Sequence, residues 1–160
     1  MKPVPLNPRT KVISHIKLLF DTDVYNKFPV VIECEFSQRT GRIKNFAIGS
    51  KLFATLRKNG GLALSIFGAK EMVKFPEFKK NCVIPKDEAI PFVSMGKSLF
   101  CKHVKWCGKN VNIGSDVVII DESNNVLAVG KAICGYKLMK KFENGIAVKI
   151  REGIKSRNAE

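Results

Sequence analysis

The side chains that most often do chemistry in proteins are carboxylates, thiols and imidazoles, and here they form no catalytic or metal-binding pattern. Asp21 and Asp23 could be taken for a carboxylate pair, but their spacing just after a predicted helix is typical of a turn. The chain has five cysteines and two histidines, and His103 lies between Cys101 and Cys107 at spacings that common zinc sites do not use. There is no glycine-rich phosphate loop and no Gly-x-Ser-x-Gly motif. The sequence therefore predicts reduced cysteines, no catalytic residue, no metal and no cofactor.

Positive charge is the dominant feature of the composition. The 160 residues contain 28 lysines and arginines against 14 aspartates and glutamates, a formal net charge of +14. Such an excess indicates a polyanionic partner. Nucleic acid is favoured over a membrane, because no predicted helix is both strongly basic and strongly amphipathic. A lysine-rich proteome is the other explanation, and the composition leaves it open.

The cations are concentrated where carboxylates are missing. No aspartate or glutamate occurs from Phe36 through Lys70, and a second such interval runs from Ala89 through Ser115. A solvated surface normally mixes both signs of charge, so the first interval predicts a basic patch that faces phosphates. The members of this secondary patch are Arg39, Arg42, Lys44, Arg57 and Lys58.

The N-terminal half has the pattern of an antiparallel meander flanked by two helices. Asn7 and Pro8 suit the cap and first position of a helix, and apolar residues follow at helical spacing. Residues 30–36 alternate as a strand whose apolar face includes Val30 and Phe36. Glycine-containing turns then separate further strands, and Gly68 opens a short helix. These strands are predicted over residues 42–48, 52–56 and 62–66.

The C-terminal half has the pattern of a second, mostly β unit. Asp87 is a candidate cap for a helix that ends at Gly96, which suits a left-handed C-cap. A strand is predicted from Leu99 to Trp106, then a hairpin over residues 117–133, a short helix, and a last strand over 146–151. Proline and charge interrupt the periodicity near residues 74–81, which predicts packed domains at 1–78 and 79–155, with a tail at 156–160.

Four segments resemble known families. The segments VVIIDESNNVLAVGKA and NGIAVKIREG, with EAIPFVSMGKSLFCKHV upstream, resemble the PUA domain, a small RNA-binding β-barrel. The segment TGRIKNFAIGSKLFATLRKNGGLALSIFGAKEM is similar to the auxiliary domain that precedes PUA in archaeal tRNA-guanine transglycosylases and archaeosine synthases. The resemblance implies an α+β fold: a small antiparallel sheet with helices, followed by a PUA-type barrel.

The resemblance also implies a function and a site. In relatives the PUA domain holds the acceptor stem and 3′ CCA end of tRNA through the loop after its first helix, the adjoining strand and the last strand. Carried over to this sequence, the RNA-binding residues would be Gly96, Lys97, Ser98, Phe100, Lys102, Val104, Lys149 and Arg151. Purely structural explanations compete: Phe100 and Val104 suit a barrel core, and Gly96 suits a helix cap. Trp106 suits a core plug or a stacking platform.

These observations favour an RNA-binding protein that is not itself an enzyme. It would serve as, or like, the RNA-binding subunit of a tRNA-guanine transglycosylase or archaeosine-forming enzyme, whose catalytic barrel has no counterpart here. A ribosome-associated or translation-related factor is the alternative, and a stand-alone RNA-modification enzyme is the third possibility. No apolar run is long enough to span a membrane, so a cytoplasmic location without membrane contact is expected.

Overall fold

The computed structural model describes residues 7–156, which form two sheets with helices packed around them. The predicted tail lies outside the described residues apart from Ser156. The helices are α1 (Pro8–Phe20), α2 (Ile66–Met72), α3 (Ile90–Ser94) and α4 (Tyr136–Met139). The strands of the first sheet are β1 (Glu33–Phe36), β2 (Ile43–Ile48), β3 (Lys51–Leu56) and β4 (Leu62–Leu64). Those of the second sheet are β5 (Cys82–Pro85), β6 (Leu99–Phe100), β7 (Val104–Cys107), β8 (Asp116–Ile120), β9 (Val126–Ala132) and β10 (Ile146–Gly153).

Helix α1 begins where the sequence predicts. The side chain of Asn7 accepts a hydrogen bond from the backbone N–H of Arg9, and Pro8 occupies the first helical position. The apolar stripe at helical spacing is buried in the core that α1 shares with the first sheet and with the 3-10 helix Pro76–Asn81, where Phe20 contacts Phe78 edge to face. The buried residues of α1 are Val12, Ile13, Ile16 and Phe20.

The first sheet is an antiparallel meander with strand order β1-β2-β3-β4. Strand β1 is shorter than predicted and begins only at Glu33. Val30, which the prediction placed in the strand, precedes it and is 85% exposed. A register shift between Glu35 and Phe36 turns Phe36 outward at this edge strand, so that its ring is 46% exposed. Helix α2 starts earlier than predicted, at Ile66, since the hydroxyl of Ser65 accepts the N–H of Gly68 and caps it.

The second sheet closes nearly into a barrel. Its strand order is β6-β10-β9-β8-β5-β7, with β5 and β8 parallel and the other neighbours antiparallel. The chain passes directly from β6 at one edge to β7 at the other through a 3-10 turn at Cys101–His103. This turn brings the two edges together, as barrel closure requires.

Barrel closure corrects the predicted strand from Leu99 to Trp106. The 3-10 turn breaks that strand into β6 and β7 and rotates the chain between them. Val104 therefore faces the barrel core at 5% exposure, whereas Phe100 and Lys102 stay outside. The predicted helix after Asp87 is also shorter: a 3-10 turn occupies Asp87–Ala89 before α3, and no side chain caps it.

Strand β8 is buried on both faces. Val117 and Ile119 point into the barrel core, whereas Val118 and Ile120 belong to the core formed with α1, α2 and the first sheet. A continuous apolar run, rather than an alternating one, is typical of a strand covered on both sides. The two units therefore share a hydrophobic interface, and the division at residue 78 stays a prediction.

Polar contacts fix the end of α1 to this interface. The buried side chain of Asn81 donates to the carbonyl of Phe20 at 2.8 Å, and Asn110 donates to that of Leu19 at 3.0 Å. The ammonium of Lys80 binds the exposed carboxylate of Asp21 and lowers its pKa. The last carbonyls of α1 are thus satisfied by residues from the barrel side of the chain.

Candidate nucleic-acid interface

Strand β10 presents its cations on the outer face of the barrel. Ala147, Val148 and Ile150 are buried, whereas Lys149 and Arg151 are exposed. This agrees with the predicted alternation from Val148 to Arg151. The prediction is wrong at the start of the strand, where Ile146 is exposed and Ala147 is buried, because the pairing with β6 shifts register between Ile146 and Val148.

The loop after α3 runs alongside β10. Gly96 has a φ of +93°, as a left-handed C-cap requires, and a Cβ placed on it would lie 3.9 Å from the backbone N of Gly153. Strand β6 then pairs antiparallel with β10, with Leu99 opposite Val148. Residues 96–100 therefore follow β10 from near its end back toward its start.

Each exposed residue of this segment is held by a local contact. The backbone N–H of Lys97 donates to the carbonyl of Phe92, and its ammonium lies 5.7 Å from the centre of that ring. Phe100 is opposite Ile146 in the β6–β10 pair, and both side chains are partly exposed, at 46% and 38%. Ser98 between them is half-buried.

Lys102 lies near the start of β10. It is exposed on the 3-10 turn, where the N–H of the adjacent Cys101 donates to the carbonyl of Gly145 at 2.9 Å. The structure therefore brings most of the predicted site residues together along one strand. They are Gly96, Lys97, Ser98, Phe100, Lys102, Lys149 and Arg151. Val104 is not among them, because its side chain is in the barrel core.

An ion pair connects the first sheet to the barrel. The guanidinium of Arg57, in the β3–β4 turn, donates from Nη2 to Oδ1 of Asp116 at 2.8 Å and from Nε at 3.3 Å. The Asp116 side chain is only 7% exposed, whereas that of Arg57 is 32% exposed. A carboxylate buried to this degree needs a charged partner, so the pair holds the turn against β8.

Arg151 makes a second connection across the same interface. Its guanidinium donates to the carbonyl of Leu64 at the end of β4. Although the residue as a whole is exposed, its guanidinium is partly covered at this interface, and this burial lowers the pKa of Arg151. The nearby charge of Asp116 raises that pKa and the charge of Arg57 lowers it. Arg57 and Arg151, which the sequence assigned to separate patches, therefore meet beside Asp116.

The cross-strand register extends this cluster over the outer face of the barrel. Lys149 on β10 is opposite Lys131 on β9, and Lys131 is opposite Asp116 on β8. We call this group the seam surface; it consists of Arg57, Asp116, Lys131, Lys149 and Arg151. The sequence analysis did not identify Lys131, although a lysine within the apolar run of β9 was the available signal.

The seam surface has a positive balance. Four cations lie near two carboxylates, Asp116 and Glu152, and the latter also acts on the pKa of Arg151. Directly opposed lysines such as Lys149 and Lys131 repel each other unless an anion lies between them. The arrangement therefore favours a bound anion.

The remaining members of the secondary patch occupy one end of the first sheet. The β1–β2 and β3–β4 turns lie at the same end of the meander, and Arg39, Arg42 and Lys58 are exposed there. Lys44 differs, because its ammonium lies 3.4 Å from the carboxylate of Glu35 on the neighbouring strand. An exposed pair of this kind leaves less charge for an external partner.

Three thiols of the described chain have raised pKa values, and its potential metal ligands are not clustered. Burial raises the pKa of Cys82 to about 12 and those of Cys101 and Cys107 to about 11, which keeps these thiols protonated at neutral pH. Within residues 7–156, no three or more histidines, cysteines, aspartates or glutamates are grouped so as to hold a metal ion. The same residues contain no helix with the length and apolar character needed to cross a membrane.

Trp106 has features of both roles that the sequence left open. Its ring is half-buried against the core beneath the first sheet. The ammonium of Lys79 lies 5.3 Å from the ring centre, in a cation–π contact.

Comparison with known proteins identifies the second unit. Residues 82–154 match the model of the PUA domain. The tRNA-guanine(15) transglycosylase of Methanobrevibacter smithii is 34% identical over 125 residues, which cover 78% of this chain and 19% of that protein. The enzyme of the same name from Pyrococcus abyssi is 35% identical over 117 residues, 72% of this chain and 20% of that protein. The chain thus spans about a fifth of the length of these curated relatives.

Solved structures share the fold over more than nine tenths of the chain. A hypothetical protein of Pyrococcus horikoshii superposes with a TM-score of 0.70 at 18% identity, covering 94% of this chain and 93% of that one. A conserved PUA domain protein from Thermoplasma acidophilum gives a TM-score of 0.67 at 16% identity, with coverages of 91% and 87%.

The second unit is therefore a PUA domain, and the predicted α+β architecture of sheet, helices and PUA-type barrel is confirmed. About three quarters of the chain, including part of the first unit, is similar to archaeal tRNA-guanine(15) transglycosylases.

The ion pair at the seam predicts a stability difference between two arginines. Arg57→Ala leaves the Asp116 carboxylate buried without its partner, so we expect the free energy of unfolding to fall by about 2 kcal/mol or more. Urea denaturation followed by Trp106 fluorescence measures this change. Arg42→Ala is the matched control, because Arg42 is exposed and makes no ion pair among the described residues; it should change stability by less than about 0.5 kcal/mol. Equal losses in the two variants would contradict a structural role for the pair.

Proposed function

We propose that this protein binds tRNA through the outer face of β6 and β10 together with the adjoining seam surface. The observation that carries the proposal is the alignment of exposed cations along one strand of a PUA domain, beside a partly exposed aromatic ring. RNA binding is supported independently by the net charge of +14 and by the family of the second unit.

The geometry suits a single-stranded RNA end. Lys102 lies near the start of β10 and Arg151 near its end, a separation of about 20 Å at roughly 3.3 Å per residue. Lys149 lies between them, so several successive phosphates could each meet a cation. The pair formed by Phe100 and Ile146 offers an apolar surface on which an unpaired base can stack.

The proposed ligand is the acceptor stem and 3′ CCA end of tRNA. This assignment rests on the resemblance to proteins named tRNA-guanine(15) transglycosylase, which by that name act on tRNA. We further propose that the chain supplies RNA binding to a tRNA-guanine transglycosylase or archaeosine-forming enzyme, while the catalytic step takes place on another polypeptide unit. No thiol or carboxylate arrangement within residues 7–156 argues for catalysis by these residues.

Charge reversal on β10 and the neighbouring turn tests the RNA interface. Lys102→Glu/Lys149→Glu should weaken binding of a tRNA transcript at least tenfold, because it replaces attraction to phosphate with repulsion. The slope of log affinity against log salt should become shallower by at least about 1.4, from roughly 0.7 per neutralised phosphate. Arg151 is left intact, since its guanidinium also holds the seam.

The control has the same charge change elsewhere. Lys11→Glu/Lys27→Glu alters exposed lysines that lie outside both predicted patches, so tRNA affinity should fall far less. If both double variants lose affinity equally, binding depends on net charge and the assigned surface is wrong. The same titration with tRNA lacking its 3′ CCA separates the alternatives: a weaker complex supports end recognition, whereas unchanged affinity supports a ribosome-associated or translation-related factor.

Reconstitution tests the proposed enzymatic context. The chain is added to an archaeal tRNA-guanine transglycosylase from which the PUA domain has been removed, and base exchange is measured at varied tRNA concentration. A tRNA-binding subunit should lower the KM for tRNA and leave kcat nearly unchanged, because it adds binding rather than chemistry. The Lys102→Glu/Lys149→Glu variant should fail to lower KM. Base exchange by the chain without the barrel would instead support the stand-alone enzyme.

A further inference from the structure

A second concave site lies away from the seam surface. It has a volume of about 270 Å³ and is formed by the segment that joins the two sheets and by the β8–β9 turn. That turn is at the opposite end of the β8–β9 hairpin from Asp116, because Asp116 pairs with Lys131 and Ile120 with Val126. None of the residues assigned to RNA binding above lines this cavity.

The cavity has an apolar floor. Its apolar lining residues with exposed surface are Val73, Phe75 and Pro76, and Val73 and Phe75 pack against the hydrophobic core. Ile120 lies beneath them and is buried. Because the core fixes these side chains, the cavity is largely preformed. Its volume is just below the range of about 300 to 1,000 Å³ typical of small-molecule pockets, which suits one planar ring system.

The rim carries a cation and an amide that are available to a ligand. The exposed ammonium of Lys79 makes no ion pair among the described residues, and lies on the Trp106 ring at 5.3 Å from its centre. The exposed Asn124 has a φ of +65° in the turn, and its amide makes no hydrogen bond within residues 7–156. The ammonium of a second rim lysine, Lys74, forms an ion pair with the carboxylate of Glu71 at 3.0 Å.

We propose that this cavity binds one nucleotide. The apolar surface of Phe75 and Pro76 can accept the face of a base, which every nucleobase presents regardless of sequence. The amide of Asn124 can both donate to and accept from the edge of the base. The ammonium of Lys79 neutralises the phosphate, while its contact with Trp106 holds the side chain at the rim.

The nucleotide could be free in solution or an unpaired nucleotide of a bound RNA, and the chemistry of recognition is the same for both. The second source rests on the proposed tRNA-binding function. The first does not, so the two proposals can fail separately.

Trp106 provides a local reporter, since it is the single tryptophan of the chain. The intact protein is titrated with 5′-AMP, and Trp106 emission and its indole N–H signal in ¹H–¹⁵N spectra are followed. We expect saturable changes with 5′-AMP and none with inorganic phosphate or ribose 5-phosphate, which lack a base.

Variants at the rim test the assignment. Lys79→Ala should weaken 5′-AMP binding about tenfold, as expected for loss of a charged contact. Because this change also removes the cation from Trp106, Asn124→Ala is a second variant that leaves that contact intact and should also weaken binding. Lys51→Ala is the matched control: Lys51 lies 5.4 Å from the centre of the Phe67 ring, in a similar contact outside the cavity, and should have no effect.

Competition identifies the source of the nucleotide. If tRNA displaces 5′-AMP from the intact protein, and this competition is lost in Asn124→Ala, the site binds a nucleotide of RNA. If tRNA leaves 5′-AMP binding undisturbed, the site binds a free nucleotide. Absence of a Trp106 response to 5′-AMP, or an equal response to inorganic phosphate, overturns the proposal even if tRNA binds through Lys102 and Lys149. Binding of 5′-AMP with no tRNA binding would leave this site standing and overturn the proposed function.

Discussion

The two sheets are held together along β8, and the ion pair between Arg57 and Asp116 fixes one end of this interface. Asp116 is the first residue of β8, the strand whose apolar residues are buried on both faces. Without the first unit, the outer apolar residues of β8 would be exposed to water. The hydrophobic interface covers most of the strand, and the ion pair closes it at one end. Asp116 is thereby occupied by Arg57 and can neutralise the neighbouring lysine only in part. The same contact that stabilises the interface leaves a positive surface beside it.

Arg151 shows how structure and binding are coupled at this point. Its guanidinium reaches across to the carbonyl of Leu64, so part of its donor capacity is used within the fold. An arginine has several donors in a fixed plane, and one contact with Leu64 leaves most of them for other partners. A ligand that binds this surface therefore touches residues from both units. Loss of the interface would separate cations that act together.

Local features of the fold were predictable from the sequence because their causes are local. The cap at Asn7, the left-handed Gly96 and the alternation in β10 each depend on a few adjacent residues. The break between β6 and β7 was not predictable, since it follows from closure of a barrel whose edges are distant in sequence. The exposure of Phe36 has the same kind of cause, a register shift at an edge strand.

The candidate site also contains residues that the sequence could identify and contacts that it could not. The cations of β10 and of the loop after α3 were identified from the resemblance and from charge. Val104 was included through the same resemblance, and of its two explanations the structure favours the barrel core, because the 3-10 turn before β7 rotates the chain. The meeting of Arg57 with Arg151, and the part played by Lys131, depend on contacts between residues far apart in the chain. Periodicity contains no information about such contacts.

Lysine footprinting of the intact chain tests the central claim most directly, namely that cations from both units form one RNA-binding surface. Acetylation of each lysine is measured by mass spectrometry with and without a tRNA transcript. The account predicts that tRNA protects Lys102, Lys131 and Lys149 on the barrel. It also predicts protection of Lys58, the lysine next to Arg57 in the β3–β4 turn, and continued reactivity of Lys11 and Lys27. Protection of Lys11 and Lys27 with continued reactivity along β10 would contradict it.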